Sequence, residues 1–349
     1  MHTLVPGMIA DAHLGLLFLI IAVSLTVLVK GADLLVEQAV ALSVRWGVPK
    51  MLIGATIVSL GTTLPEAAVS VSAALRGSPG LALGNAVGSI IADTGLILGV
   101  ALLLGPVPIE RKLIRTQSWI QFGSAVLLVL ACVPYLRPEA MLAEGGRLPR
   151  EVGFVFLGLL VLYIWLSIRW STSAAPVHFD PQRVTDRRDA AALPALLKLL
   201  TGIALVVLSS QTLIPTVEQT ALRLRIPEAI IAATLVAFGT SLPELVTAVT
   251  AVRKRHGELA LGNVIGADIL NVLFVSGAAA ASTRGGLHVP AAFFYLYFPA
   301  LIFVVSVLRI GLWRSGSELR RGFGYVLIAA YAVTVAAGYL VTGPPAFGR

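Results

Sequence analysis

Apolar runs long enough to cross about 30 Å of hydrocarbon recur along this chain from one end to the other, and that property leaves few folds open. In lipid every backbone polar group must be satisfied internally, so only helices and closed barrels span a bilayer. A barrel needs segments of roughly 10 residues with alternating polarity, whereas the runs here are long and continuous. The sequence therefore predicts an all-α polytopic membrane protein. Ten spans read out near residues 14–43, 50–76, 81–104, 115–135, 151–169, 192–222, 227–253, 258–281, 289–310 and 321–341. Charged residues are only 13% of the chain, so each charge inside a run needs a reason.

The stretch before the first run has no basic n-region, which predicts a retained first span rather than a cleaved signal peptide. Cys132 is the single cysteine; it permits no intrachain disulfide and reads as a small buried hydrophobe. The formal charge of +8 could suggest nucleic acid, but in a membrane protein Lys and Arg report topology first. Of 26 basic residues, 17 fall in one set of alternate loops, 8 in the other, and Lys30 lies inside the first span. The heavier side is predicted to be cytoplasmic, which puts both termini outside the cell (inner) membrane. The lipid bilayer is an expected partner; no nucleic acid or obligate protein partner is indicated.

Within the runs one phrase occurs twice. Gly61-Thr62-Thr63-Leu64-Pro65-Glu66, followed by Leu81-Ala82-Leu83-Gly84-Asn85, returns as Gly239-Thr240-Ser241-Leu242-Pro243-Glu244 and Leu259-Ala260-Leu261-Gly262-Asn263. The offset of 178 residues between Glu66 and Glu244 also pairs Pro49 with Pro227, Thr56 with Thr234, Gly88 with Gly266 and Gly99 with Gly277. That is a duplication of the half-chain. The polar segment 170–190, with Pro176 and Pro181, reads as a cytoplasmic linker between a first repeat over 1–169 and a second over 191–349. Five spans per half is an odd number, so the halves are predicted to enter the membrane in opposite orientations. Two inverted five-helix repeats would bring the Glu-bearing motifs to the midplane from opposite sides.

The motif carries its own chemistry. Gly is permissive and Pro lacks an N–H, so the span should break near Gly61–Leu64 and restart with Pro65 in the first turn. The break frees carbonyls beside the hydroxyls of Thr62 and Thr63, and Glu66 sits at the positive end of the new half-helix. Thr240, Ser241 and Glu244 repeat the arrangement. Carboxylate, hydroxyl and carbonyl oxygens without thiolate or imidazole make a site for a hard cation, Na+ or Ca2+ rather than zinc or copper. Asp93 and Asn271 follow the two glutamates at the same spacing, and Ser89 shares a helix face with Asp93. One Ca2+ with a proton or an imbalance left over, or about three Na+, would compensate Glu66, Asp93 and Glu244; the uncompensated site would resist reorientation, coupling the ion movements as antiport. Gly84, Gly88, Gly262 and Gly266 read as close-packing positions.

At these residues the chain resembles bacterial members of the cation/calcium antiporter superfamily, of the sodium/calcium exchanger type. The resemblance covers nearly the whole chain, including Ala32-Asp33-Leu34-Leu35-Val36 in the first span. It implies ten helices and four central sites occupied alternately by Na+ and Ca2+, with the first and sixth spans sliding over the other eight. It also implies that Glu66 and Glu244 bind Ca2+ with oxygens of Thr62 and Thr240. Thr63, Ser241, Ser89 and the carbonyls of Ser59 and Ala237 would serve Na+, and Asp93 and Asn271 a central polar site.

Three positions depart from the family pattern. Ile90 stands where an Asn is usual, Ala267 replaces the Ser that would mirror Ser89, and Asp268 adds a carboxylate facing either the site or a helix contact. Lys30 and Asp33 form a local pair or snorkel. The expected function is Ca2+/Na+ antiport by a secondary transporter, with Ca2+/H+ or K+-dependent exchange as the alternative. No resident cofactor is called for, and no H-E-x-x-H, G-x-G-D or G-x-S-x-G motif points to an enzyme. A channel lined by the same oxygens is separated by its single-channel currents.

Overall fold

The computed structural model describes residues 12–109, 111–135, 139, 141–173, 192–224 and 239–342. Ala237, the first part of the seventh span and the linker from residue 174 to 191 lie outside them. Eleven helices follow in chain order: α1 Leu14–Trp46, α2 Lys50–Thr62, α3 Leu64–Leu75, α4 Pro79–Leu104, α5 Arg111–Cys132, α6 Arg150–Ser173, α7 Ala192–Arg223, α8 Leu242–Arg253, α9 Gly257–Ser282, α10 Phe293–Arg314 and α11 Arg321–Thr342. Among the described residues eight of these are long and apolar enough to cross a membrane, and the bent pair α2–α3 makes a ninth. The tenth predicted span is the seventh in order, of which α8 is the described part.

The helix breaks fall where the residues demand them. α2 ends at Thr62 and α3 starts at Leu64 with Pro65 in its first turn, and the axes bend by 44°. Pro65 has no N–H to give the Gly61 carbonyl, so the ladder is interrupted there. α8 likewise begins at Leu242 with Pro243 in its first turn. Several helices also widen into π-helical turns, Gly54–Val58 in α2, Asp93–Ile97 in α4, Asn271–Ser276 in α9 and Phe293–Tyr297 in α10. No residue pattern announces them, because a π-turn inserts one residue without altering composition.

The duplication reappears in the element bounds: α3 and α8, and α4 and α9, match end for end at the offset of 178 residues. α9 is the central pillar, 89% of its apolar window being buried against 17% for α11 and 22% for α1. The outer helices instead turn Leu19, Val161, Trp313 and Val333 outward, as a lipid-facing surface requires. α1 and α7, the first helices of the two halves, pack along one another. A Cβ on Gly202 would come within 2.7 Å of the Leu35 amide nitrogen.

Two short ribbons, absent from the all-helical expectation, tie loops of one half to loops of the other. β1 (Val107–Pro108) pairs with β4 (Glu318–Leu319), and β2 (Gly146–Leu148) with β3 (Leu287–Val289), both antiparallel. They also fix helix direction. α4 starts beside Pro290, just past β3, and runs into β1; α9 starts against Val107 and Pro108 of β1 and runs into β3. α4 and α9, which correspond by sequence, thus run in opposite directions.

Asp33 does not pair locally with Lys30. Its ion pair is with Lys254, 3.0 Å away at the end of α8, and Glu37 joins the same ammonium at 2.7 Å. Partial burial works against the Lys254 charge, but the hydrogen bonds to Glu37 and Asp33 outweigh it and hold the group above the usual lysine range.

The repeated glycines are not equivalent. A Cβ on Gly266 would lie 2.5 Å from the Ala55 Cα, and one on Gly262 only 2.1 Å from the Met51 carbonyl oxygen; at Gly88 it would meet nothing within 4 Å. Gly266→Ala should therefore destabilise by about 1–3 kcal/mol, while Gly88→Ala should be neutral or stabilising by up to about 1 kcal/mol. Thermal unfolding in detergent measures both, and equal shifts would mean that the α2–α9 approach is not as close as described.

Candidate cation site between the two halves

The helix breaks and the two antiparallel helices bring the predicted residues to one buried region. Glu66, Glu244, Asp93, Asn271 and Asp268 are each about 1% exposed, and Ser59, Thr62, Thr63, Ser89 and Ser241 are buried with them. Thr240 is half-buried at its edge. The halves interlock here. The Glu244 carboxylate lies beside the hydroxyls of Thr62 and Thr63, and Asp93 beside Ser241, although no closed hydrogen bond reaches either Glu244 oxygen. Glu66 lies within electrostatic reach of Glu244 and Asp93, and Asp93 within reach of Glu244 and Asp268.

Among the described residues, most of these oxygens have no donor. Both carboxylate oxygens of Glu66 and of Glu244, Oδ1 of Asp93, Oδ1 of Asn271 and Oγ1 of Thr63 are buried without a hydrogen-bond partner. Ion pairs among the described residues involve Lys50, Lys254 and Arg320 and leave the central carboxylates alone. A structural ion pair therefore does not explain Glu66 or Glu244. Buried acceptors left bare cost about 1–3 kcal/mol each, more when charged, so the arrangement calls for protons or a cation to offset them. No three His, Cys, Asp or Glu side chains among the described residues converge tightly enough to chelate a metal. The oxygens around the carboxylates are hydroxyl, carbonyl and amide, a donor set suited to a hard ion.

The carbonyls next to the break are engaged by the motif's own side chains and amides. Thr62 Oγ1 donates to the carbonyls of Val58 (3.2 Å) and Ser59 (3.3 Å), which leaves its lone pairs outward. The Ser59 carbonyl also accepts the Thr63 N–H at 2.9 Å. Ala237, the expected mirror of Ser59, is outside the described residues.

Three structural residues were not singled out as site residues by sequence. Asn85 donates to the Glu66 carbonyl (3.2 Å) and to Ser70 Oγ (3.0 Å), and accepts from Thr240 Oγ1 (3.3 Å), so it clamps both motifs. Its presence in both Gly-Asn pairs was the available signal. Thr94 and Gln121 both donate to Oδ2 of Asp268; no repeat marks them. Asp268 faces this helix contact rather than joining the Glu66–Glu244 centre directly.

Known proteins share this arrangement of chain and helices. The sequence profile described as sodium/calcium exchanger protein matches residues 16–169 and 194–340. The chain belongs to the sodium/calcium exchanger family. Within that family it is 33% identical to inner membrane protein YrbG of Escherichia coli (strain K12), over 92% of this chain and 96% of that protein. It is also 33% identical to sodium/calcium exchanger MaX1 of Methanosarcina acetivorans, over 90% and 96%. A solved structure of the sodium-calcium exchanger NCX_Mj superposes with a TM-score of 0.76 at 25% identity, covering 93% of this chain and 99% of that one. The chain is accordingly a multi-pass membrane protein with the exchanger fold.

The Asn85 clamp has a measurable weight. Asn85→Ala strands a carbonyl, a hydroxyl and the Thr240 contact and should lower stability by about 1–3 kcal/mol. Ser70→Ala leaves the other two contacts in place and should cost less than half as much. Chemical unfolding of the purified variants gives both values; equal losses would deny Asn85 its bridging role.

Proposed function

We propose that this chain is a secondary active antiporter, a transporter rather than an enzyme, that exchanges Ca2+ for Na+ by alternating access. The observation that carries the reading is the pair of buried carboxylates, Glu66 and Glu244, contributed by corresponding helix breaks and left without a basic partner among the described residues. Glu66 and Glu244 bind Ca2+ together with oxygens of Thr62 and Thr240. Thr63, Ser241, Ser89 and the carbonyls of Ser59 and Ala237 serve Na+, and Asp93 and Asn271 the central polar position. Three carboxylates are neutralised by about three Na+ and nearly so by one Ca2+, whereas the ion-free centre is heavily charged at low dielectric and resists changing its facing. Exchange rather than leak follows from that resistance.

The opposite directions of α4 and α9 support a first repeat over 1–169, a linker over 170–190 and an inverted second repeat over 191–349. The burial of every central carboxylate supports an occluded stage, with α1 and α7 as the pair that slides to open either face. The excess of basic residues in one set of loops supports extracytoplasmic termini in the inner membrane, the membrane named for the Escherichia coli relative.

The test is 45Ca2+ flux in proteoliposomes under imposed Na+, K+ and H+ gradients. Uptake should follow an outward Na+ gradient, and Glu66→Gln and Glu244→Gln should each reduce it about 10- to 100-fold, the worth of one charged ligand at about 1.5–3 kcal/mol. Uptake driven by protons without Na+ would replace Na+ coupling with Ca2+/H+ exchange, a K+ requirement would make it K+-dependent, and full flux in both variants would remove the glutamates from the site.

A further inference from the structure

Asp268 is a buried carboxylate that the central site does not use, and its surroundings are unusual. Oδ2 receives two hydrogen bonds, from Thr94 Oγ1 and from Gln121 Nε2. Gln121 Nε2 also donates to Thr94 Oγ1 at 3.1 Å, so both amide hydrogens are committed and the orientation of the amide is fixed. Two acceptors in this group remain without a partner, Oδ1 of Asp268 and Oε1 of Gln121, in residues 1% and 2% exposed. Among the described residues no Lys, Arg or His forms an ion pair with Asp268. A buried carboxylate in this position must be compensated.

We infer that Asp268, Gln121 and Thr94 form an auxiliary site for one small monovalent cation of Na+ type, set behind the Glu66–Glu244 centre. The donor set is a carboxylate, an amide oxygen and a hydroxyl, all hard oxygens, and the single formal charge of the cluster matches a monovalent ion. The cluster belongs to one side of the duplication only: the positions matching Asp268 and Thr94 at the offset of 178 are Ile90 and Val272, both apolar. It also stands next to Ala267, where the second half lacks the hydroxyl that Ser89 gives the first. The total charge agrees. Resting on the exchanger reading, three Na+ at the centre would leave one of the four carboxylates Glu66, Asp93, Glu244 and Asp268 uncompensated, and one further Na+ closes the difference.

The test counts ions directly and does not depend on Ca2+ exchange. Equilibrium dialysis of the purified full chain with 22Na+ should give about one fewer Na+ bound at saturation for Asp268→Asn than for the wild type. Gln121→Met, which keeps the volume and removes the amide oxygen, should weaken one class of Na+ sites about 10-fold, and it decides the matter if Asp268→Asn fails to fold. 45Ca2+ binding in Asp268→Asn should persist, whereas Glu66→Gln and Glu244→Gln should lose it; their retaining it would sink the central reading and leave the Na+ count standing. An Asn is isosteric with a protonated Asp. Equal Na+ counts and affinities in the wild type and the folded variants would therefore mean that Asp268 holds a proton and would overturn the site.

Discussion

The constraint on which the rest of this structure depends is the placement of Glu66 and Glu244, buried near one another in helices that cross lipid, with no basic side chain among the described residues paired to them. A charge at the centre of a membrane helix costs about 2.5–3.5 kcal/mol on insertion scales, and mutual repulsion adds to it. What the fold supplies in return is local. Pro65 and Pro243 start new half-helices whose positive ends face the carboxylates. The hydroxyls of Thr62 and Thr63 from one half line the carboxylate of the other. The breaks, hydroxyls and clamp make sense as parts of a place where a cation replaces the missing counter-charge.

Close helix approach is what makes that meeting possible. α9 sits against the backbone of α2 at Gly262 and Gly266, near enough that no side chain could intervene, and this contact brings the second half's α9 up to the first half's break. The π-turns at Asp93 and Asn271 begin at those two residues. A widened turn frees a carbonyl and rotates the following side chains, so each polar residue stands at a kink rather than in a straight ladder. The interhalf ribbons at the two ends of α4 hold the frame in which these contacts are made.

The parts of this site legible in sequence were those with a local physical signature. Gly–Pro breaks, an intramembrane Glu and an ungapped repeat each announce themselves within a few residues, and together they located the break at Thr62–Leu64. Partners across the fold had no such signature. Gln121 stands in an apolar run, and a helical period tells that it shares a face with Ser124 or Gln117 but not that Asp268 lies opposite. Asp33 lay three residues from Lys30, yet its cation comes from Lys254, 221 positions away in the chain. Repeat symmetry predicted equal packing for Gly88 and Gly266, whereas a neighbouring backbone meets Gly266 and not Gly88.

Imperfect symmetry also bears on where ion binding gains the most. Asn85 has all its described contacts made, two donated and one accepted. Its mate Asn263 is fully buried with both amide atoms unpartnered, and Thr247 Oγ1, on the helix that carries Glu244, is bare as well. The first half's carboxylate is thus backed by a closed network and the second half's by an open one. Because a polar group left bare in the interior costs more than a made hydrogen bond returns, an ion or its hydration water that satisfies the second-half side relieves the larger penalty. Two motifs nearly identical in sequence therefore end in unequal surroundings, and the difference arises from the partners the fold gives them rather than from the motifs themselves.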